Sequence, residues 1–517
     1  MEFLKGITPR EYQQKILETC EHKNCLVILP TGLGKTLIAL MLAIKRMRDF
    51  PGKKVVLLAP TRPLAEQHLA SFKKHLPELF AEMNLFTGKV NASQRKKIWQ
   101  TTDIIFSTPQ CVANDLRKGL YSLNDVCLLI EDEAHRCIKN YDYNYVSQQY
   151  QKQAQHPRIL GLTASPGSTP QKIKEICRNL SVEAVELRTR ESEDVKEYLQ
   201  ELKFEKIMID FPKELEEIRQ ALLTLFNRYV EELKKRNVLF EYPSKINLIN
   251  LQKKMGATLS RGNKNFNYLL GMSACAQAIK IQHSLELLET QTIQSFHTYL
   301  KGLLNQASKK QSKGVVKLVI KPEFNYAYSQ ANELLAKNKE HPKLKRLIEI
   351  VEKEKSKNPN TKIIVFTQFR ETAAIISKNL NKIKDASATV FIGQAKKQGV
   401  GLNQKEQKQI INDFSEGKIN ILCATCIAEE GLDIPEVNTV IFYEPIPSEI
   451  RKIQRAGRTA RLMKGKLIML ITKKTRDEAY YYVSRSREKK MHRAISEIQD
   501  DLANGKINLK MKQKTLE

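Results

Sequence analysis

Between residue 25 and about residue 190, five short apolar runs alternate with amphipathic stretches such as LIALMLAIKRMRDF; the runs are CLVIL, KVVLLA, DIIFS, VCLLI and RILGL. Runs this short and this uniformly apolar suit strands covered on both faces, and helices between them make the strands parallel. The same alternation returns after about His341 with KIIVF, ATVFI, INILC, TVIFY and KLIMLI. Between the two halves the period is helical, in ELEEIRQALLTLFNRYVEELKK, YLLGMSACAQAIKIQHSLELLE and IQSFHTYLKGLLNQ. The pattern predicts an α/β chain: a parallel-sheet domain over 1–200, a helical insertion over 201–335, a second parallel-sheet domain over 336–484 and a charged tail over 485–517. No internal repeat points to a solenoid.

Charge narrows the partners. Lys and Arg number 86 against 57 Asp and Glu, a net charge of +29 in 517 residues. That excess favours a polyanion, nucleic acid first, over a Lys-rich surface that serves only solubility. Lys245–Lys321 holds twelve Lys or Arg and only two acids, Glu286 and Glu289. Within it Lys253, Lys254, Arg261 and Lys264 are candidates to follow a phosphate backbone; the other reading is a solvated face.

No apolar run approaches the ~18 residues that cross a bilayer, so no membrane partner is expected. The opening MEFLKGITPREYQQ carries no apolar signal segment. Nine cysteines without regular spacing suit reduced thiols and a cytosolic setting. Cys423 and Cys426 form a CxxC with no second Cys/His pair nearby, so no zinc is expected.

Three motifs carry chemistry. Pro30-Thr31-Gly32-Leu33-Gly34-Lys35-Thr36 follows a strand and opens a helix. Glycines let backbone N–H groups close around phosphate oxygens, and the helix N-terminus adds partial positive charge. Lys35 can reach the outer phosphates of ATP, and the Thr36 hydroxyl can ligate Mg²⁺. In LLIEDEAHR an apolar strand ends on two carboxylates: Asp132 can hold Mg²⁺ through its water shell, and Glu133 can orient or deprotonate the attacking water. In the other α/β half, Gln454-Arg455-Ala456-Gly457-Arg458-Thr459-Ala460-Arg461 places Arg458 and Arg461 to act as arginine fingers, if the cleft between the halves binds ATP.

LPTGLGKT, DEAH and QRAGRTAR resemble motifs I, II and VI of the superfamily 2 helicases, and the remaining motifs appear in order from about residue 8 to 490. The resemblance implies two RecA-like motor domains. It implies an adenine-edge role for Gln13, and nucleotide contacts for Arg10, Thr31, Gly32, Leu33, Gly34, Gly431 and Asp433. Gln454 joins the catalytic set. Thr61 and Arg62 of motif Ia, Thr108 of Ib, Thr367 of IV and Thr425 of V would contact the nucleic-acid backbone. His135, Thr163 and Ser165 would couple ATP to movement.

GLTASPG, FIGQA with GLNQKEQ, and FYEPIPSEIRKIQRAGRTAR through TRDEAYYY are most similar to the archaeal Hef and Fanconi anaemia group M family. That resemblance implies a DNA helicase or translocase on forked or branched DNA, 3′ to 5′, with replication or repair proteins as partners. Cys426 and Ala428 depart from motif V, Ala460 from motif VI, and Glu131 stands before DEAH where an apolar residue is common. Neither GDY nor ERK, the nuclease signature of Hef, occurs in these residues. Two other readings stay open: an ATPase that clamps double-stranded RNA, and an ATP-switched junction scaffold that does not unwind.

Overall fold

The computed structural model describes residues 3–262, 266–393, 401–425, 434–448 and 464–504. The first domain is built on β1 (Cys25–Ile28), β2 (Lys54–Leu58), β3 (Met83–Phe86), β4 (Ile104–Ser107), β5 (Val126–Asp132), β6 (Ile159–Thr163) and β7 (Ala184–Leu187). They pair in parallel in the order β3-β4-β2-β5-β6-β1-β7. Helices cover both faces. Leu40, Leu57 and Ile130 lie in the core on one side, and Leu26, Val56 and Leu129 in the core on the other, as uniformly apolar strands require.

The second sheet contains β8 (Leu202–Ile209), β9 (Ile363–Phe366), β10 (Ala388–Phe391), β11 (Ile421–Ala424), β12 (Thr439–Phe442) and β13 (Gly465–Thr472), in the parallel order β10-β11-β9-β12-β13-β8. The expected start of the insertion at 201 moves. β8 pairs with β13 from Leu202↔Gly465 to Ile209↔Thr472, so the chain enters the second sheet before the insertion, and helix begins at Lys213. β8 is an edge strand in which exposed Lys203, Phe204 and Lys206 are mixed among half-buried neighbours, so no apolar run announces it.

The insertion is helical, over Lys213–Lys235, Lys245–Ser260, Phe266–Thr290, Ile293–Ser308, Lys313–Val319 and Pro322–Ala336. Its own core includes Leu222, Leu225, Leu285, Phe296 and Phe324. It is tied to the second sheet domain: Lys343 Nζ donates to Thr290 O at 2.9 Å, Ser295 Oγ lies 3.2 Å from Thr372 Oγ1, and Thr367 Oγ1 donates to Gln291 Oε1 at 3.3 Å.

The expected tail at 485–517 is also corrected, over its described part. Arg476–Ala503 is one helix that leaves β13 and crosses to the first domain. Met491, Ala494, Ile495 and Ile498 form a stripe at helical spacing and join the first-domain core with Ile173 and Ile176. Gln499 Nε2 donates to Val185 O at 2.8 Å. Burying Ile495 and Ile498 contributes roughly 2 kcal/mol each, which explains why so charged a segment docks.

Candidate functional site

β1, β6 and β5 are neighbours in the first sheet, and parallel pairing puts their C-terminal ends on one edge. β1 leads into the phosphate loop, β5 ends on Asp132, and β6 ends on Thr163. Ligands of open parallel sheets bind at this edge. The loop has the backbone that its glycines predict: Gly32 has φ +90° and Gly34 has φ +77°. A Cβ on Gly34 would lie 2.3 Å from Gln13 Nε2, so a side chain there would have to displace the Gln13 amide. Lys35 opens the following helix, and its Nζ donates to Leu29 O at 2.9 Å.

Gln13 braces this loop. Its Nε2 donates to Leu33 O at 3.2 Å, its Oε1 accepts from the Arg10 backbone at 2.9 Å, and the Tyr12 hydroxyl donates to Leu33 O at 2.8 Å. The Arg10 guanidinium lies 5.0 Å from the Tyr198 ring centre, which brings in an aromatic that sequence reasoning did not single out. Gln13, expected at the adenine edge, is thus in direct contact with the phosphate loop.

Asp132 is nearly closed to solvent, and His68 Nε2 stands 2.8 Å from its Oδ2. Burial alone would raise the Asp132 carboxyl, but His68 and the Lys35 charge outweigh it and hold it below the usual carboxylate range. Tyr143 Oη donates to Asp132 O at 2.6 Å and to Leu58 O at 3.2 Å, locking the strand end. Sequence reasoning missed both His68 and Tyr143, because no motif spacing marks them. Glu133 sits in the left-handed region, with φ +52° and ψ +47°. That conformation costs a non-glycine residue about 1–3 kcal/mol and clusters at functional sites. Its Oε2 lies 3.2 Å from His135 Nδ1, which in turn lies 3.2 Å from Thr163 Oγ1.

Glu131, the departure before DEAH, is wholly buried. Burial pushes its carboxyl up to about 8, well above the usual carboxylate range, against the hydrogen bonds of Ser147 and Cys137.

The predicted backbone contacts also stand at strand ends. Thr61 and Thr108 stand at the N-cap positions of helices Arg62–His75 and Pro109–Arg117, just beyond the paired strands β2 and β4, without a side-chain cap bond. Thr367 and Thr425 follow the paired strands β9 and β11. Thr367 has no exposure, and its hydroxyl donates to Gln291. Thr425 is buried as well, and the Thr61 hydroxyl is out of reach of solvent. Arg62 pairs with Glu66 at 2.7 Å, and Lys408 of the second domain reaches the same carboxylate at 3.6 Å. Lys253, Lys254 and Arg261 are exposed on the insertion. Gln454, Arg458, Arg461, Gly431, Asp433 and Lys264 lie outside the described residues.

The residues present fit ATP and Mg²⁺: a glycine cradle with positive φ, a helix N-terminus, a lysine, and the hard oxygens of Thr36 and Asp132. Among the described residues no group of three or more His, Cys, Asp or Glu is gathered as a metal site made of such side chains alone, no helix is long and apolar enough to cross a membrane, and the cysteines are free and buried.

The family models agree with this geometry. Residues 10–173 match the DEAD/DEAH box helicase family, 342–463 the helicase conserved C-terminal domain, and 214–340 a helical bundle described as that of a putative ATP-dependent RNA helicase. The crystal structure of the Hef helicase domain from Pyrococcus furiosus superposes with a TM-score of 0.70 at 40% identity, covering 92% of this chain and 98% of that one. The chain belongs to the Hef and Fanconi anaemia group M family of superfamily 2 helicases.

Among curated relatives of this Hef-like chain, a putative ATP-dependent RNA helicase of Methanocaldococcus jannaschii is 38% identical, over 95% of this chain and 61% of its own. The Fanconi anemia group M protein homolog of Mus musculus is 33% identical over 94% and 26%, and the ATP-dependent DNA helicase fml1 of Schizosaccharomyces pombe 31% over 97% and 60%. The chain thus spans less than two thirds of each of these Hef-family relatives.

Proposed function

We propose that this chain is an ATP-dependent DNA helicase or translocase that works on forked or branched DNA, 3′ to 5′, in replication-fork repair or recombination. The observation that carries the ATPase half is the shared sheet edge where β1, β5 and β6 deliver Lys35, Asp132 and Glu133, and Thr163. There Lys35 binds the outer phosphates, Glu133 orients the attacking water, and Gln13 with Arg10 takes the adenine edge. Mg²⁺, held by Thr36 and Asp132, would neutralise phosphate charge. Arg458 and Arg461, with Gln454, Gly431 and Asp433, would complete the site from the second motor domain, so that hydrolysis follows cleft closure. The cytosolic setting and any repair-protein partners belong to the same proposal.

DNA is favoured by the relatives named DNA helicases and by the basic, exposed insertion. A reading on RNA has its own support, since the Methanocaldococcus relative and the helical-bundle model are both named for RNA helicases. The test is ATPase stimulation and strand separation with forked DNA against double-stranded RNA. Stimulation and unwinding with the fork are expected. Stimulation by RNA alone would transfer the reading to RNA, and fork binding without ATP-dependent unwinding would leave a scaffold. Lys35→Ala must abolish the stimulated rate for the site assignment to hold.

A further inference from the structure

The helix Arg476–Ala503 touches three bodies. In its first turn the Arg476 guanidinium donates to Gln282 O at 2.9 Å and to Gln282 Oε1 at 3.1 Å, and the Arg476 backbone N–H donates to Glu289 Oε2 at 2.9 Å. Both partners belong to the insertion helix Phe266–Thr290. One residue on, Asp477 pairs with Lys343 of the second motor domain, and neither side chain has any exposure. About four helical turns later, Met491 arrives at the first domain, where its sulfur accepts a hydrogen bond from the Ser165 hydroxyl at 2.9 Å. Ser165 is 1% exposed and Met491 2%.

From Ser165 the contacts lead back to the catalytic glutamate. The Ser165 N–H donates to Thr163 Oγ1 at 3.1 Å, and the Thr163 hydroxyl donates to Ser165 O at 3.1 Å. Thr163 Oγ1 lies 3.2 Å from His135 Nδ1, and His135 Nδ1 lies 3.2 Å from Glu133 Oε2. Motif III thus meets His135, which lies against Glu133, on one side and the crossing helix on the other. A thioether is a weak acceptor, but at a buried site no water competes for the hydroxyl. Among the described residues the Ser165 side chain donates nowhere else.

We propose that Met491 is a positioning residue for ATP hydrolysis: it holds the Ser165 hydroxyl, and through Ser165, Thr163 and His135 it sets Glu133. The helix is anchored in the insertion and second motor domain at one end and in the first-domain core at the other. A shift of the insertion or second domain must therefore either carry Ser165 along or break the contact. This is a two-arrangement device that links cleft movement to motif III without passing through the cleft. The inference rests on the reading of His135, Thr163 and Ser165 as coupling residues.

The test uses the full chain and three variants: Met491→Leu, which keeps the volume and removes the sulfur, Ser165→Ala, and the double variant. Forked DNA is the stimulant, and kcat, KM for ATP and the melting temperature are read together. Each single variant should lower stimulated kcat roughly tenfold with KM within about twofold and an unchanged melting temperature. The double variant should be no worse than either single, because both remove one contact. A wild-type kcat for Met491→Leu beside an impaired Ser165→Ala would overturn the role of Met491 and leave the coupling role of motif III standing. A wild-type kcat for Ser165→Ala would overturn both. Losses that multiply in the double variant would show that Met491 does not act through Ser165.

Discussion

His68 Nε2 stands 2.8 Å from Asp132 Oδ2, and both side chains are almost closed to solvent. On the proposed role, in which Asp132 holds Mg²⁺ through water, its carboxylate must point one way, and a buried imidazole on the helix Arg62–His75 orients it. His68→Ala should therefore lower ATPase kcat/KM roughly tenfold or more, with nucleic-acid binding in the absence of nucleotide unchanged. A steady-state Mg²⁺ titration of the two proteins checks this. Superimposable curves would reduce the pair to a packing contact.

Gly34 combines φ +77° with a Cβ position 2.3 Å from Gln13 Nε2. Gly34→Ala must twist the loop or expel the Gln13 amide from Leu33 O. We expect ATP affinity to fall at least about 100-fold, some 3 kcal/mol, while the melting temperature drops only a little because the loop is peripheral to the core. Calorimetric titration with a non-hydrolysable ATP analogue measures it, and a fall of less than fivefold would argue against a tight cradle.

Glu286 in the insertion is bonded to Lys245 at 2.5 Å and to His283 at 3.2 Å. Burial opposes ionisation, but these partners prevail and hold its carboxyl at about 2. A depressed carboxylate stabilises above its unfolded pKa, and the gain is lost as pH falls through the folded value. Wild type should exceed Glu286→Gln by about 3 kcal/mol at pH 7, and the gap should close between about pH 4.5 and pH 2. Denaturant unfolding followed by helical circular dichroism at several pH values is the measurement. A gap that does not vary with pH would remove the electrostatic account.

Lys253, Lys254 and Arg261 are exposed on the insertion. If they meet phosphates, each Ala replacement releases fewer counterions, and the triple variant should flatten the plot of log affinity against log salt by about 2.7 units on duplex DNA. Fluorescence anisotropy on a forked duplex from low to moderate salt tests it. An unchanged slope would return these side chains to a solvated face.

Two elements show what could be read along the chain and what could not. The strands apolar throughout, such as VCLLI and TVIFY, are buried on both faces as β5 and β12. The strands that escape notice, β3, β7 and β8, all stand at sheet edges, where alternating or mixed burial blurs the pattern. The crossing helix was hidden differently. Its charge suggests a tail, yet Met491, Ala494, Ile495 and Ile498 already keep the i, i+3, i+4, i+7 spacing of a docked face.

Local chemistry decides what is legible. Glycines at 32 and 34, Lys35, Thr36, Asp132 and Glu133 are specified by sequence alone, since a phosphate cradle and a strand-terminal acid pair each need only a few consecutive residues. Tertiary structure alone decided that His68 meets Asp132 across 64 positions, that Gln13 braces the loop, that the Thr367 hydroxyl is already taken by Gln291, and that Met491 reaches Ser165 across 326. Those contacts depend on strand order and on which helix faces which sheet edge, and no periodicity along the chain encodes them.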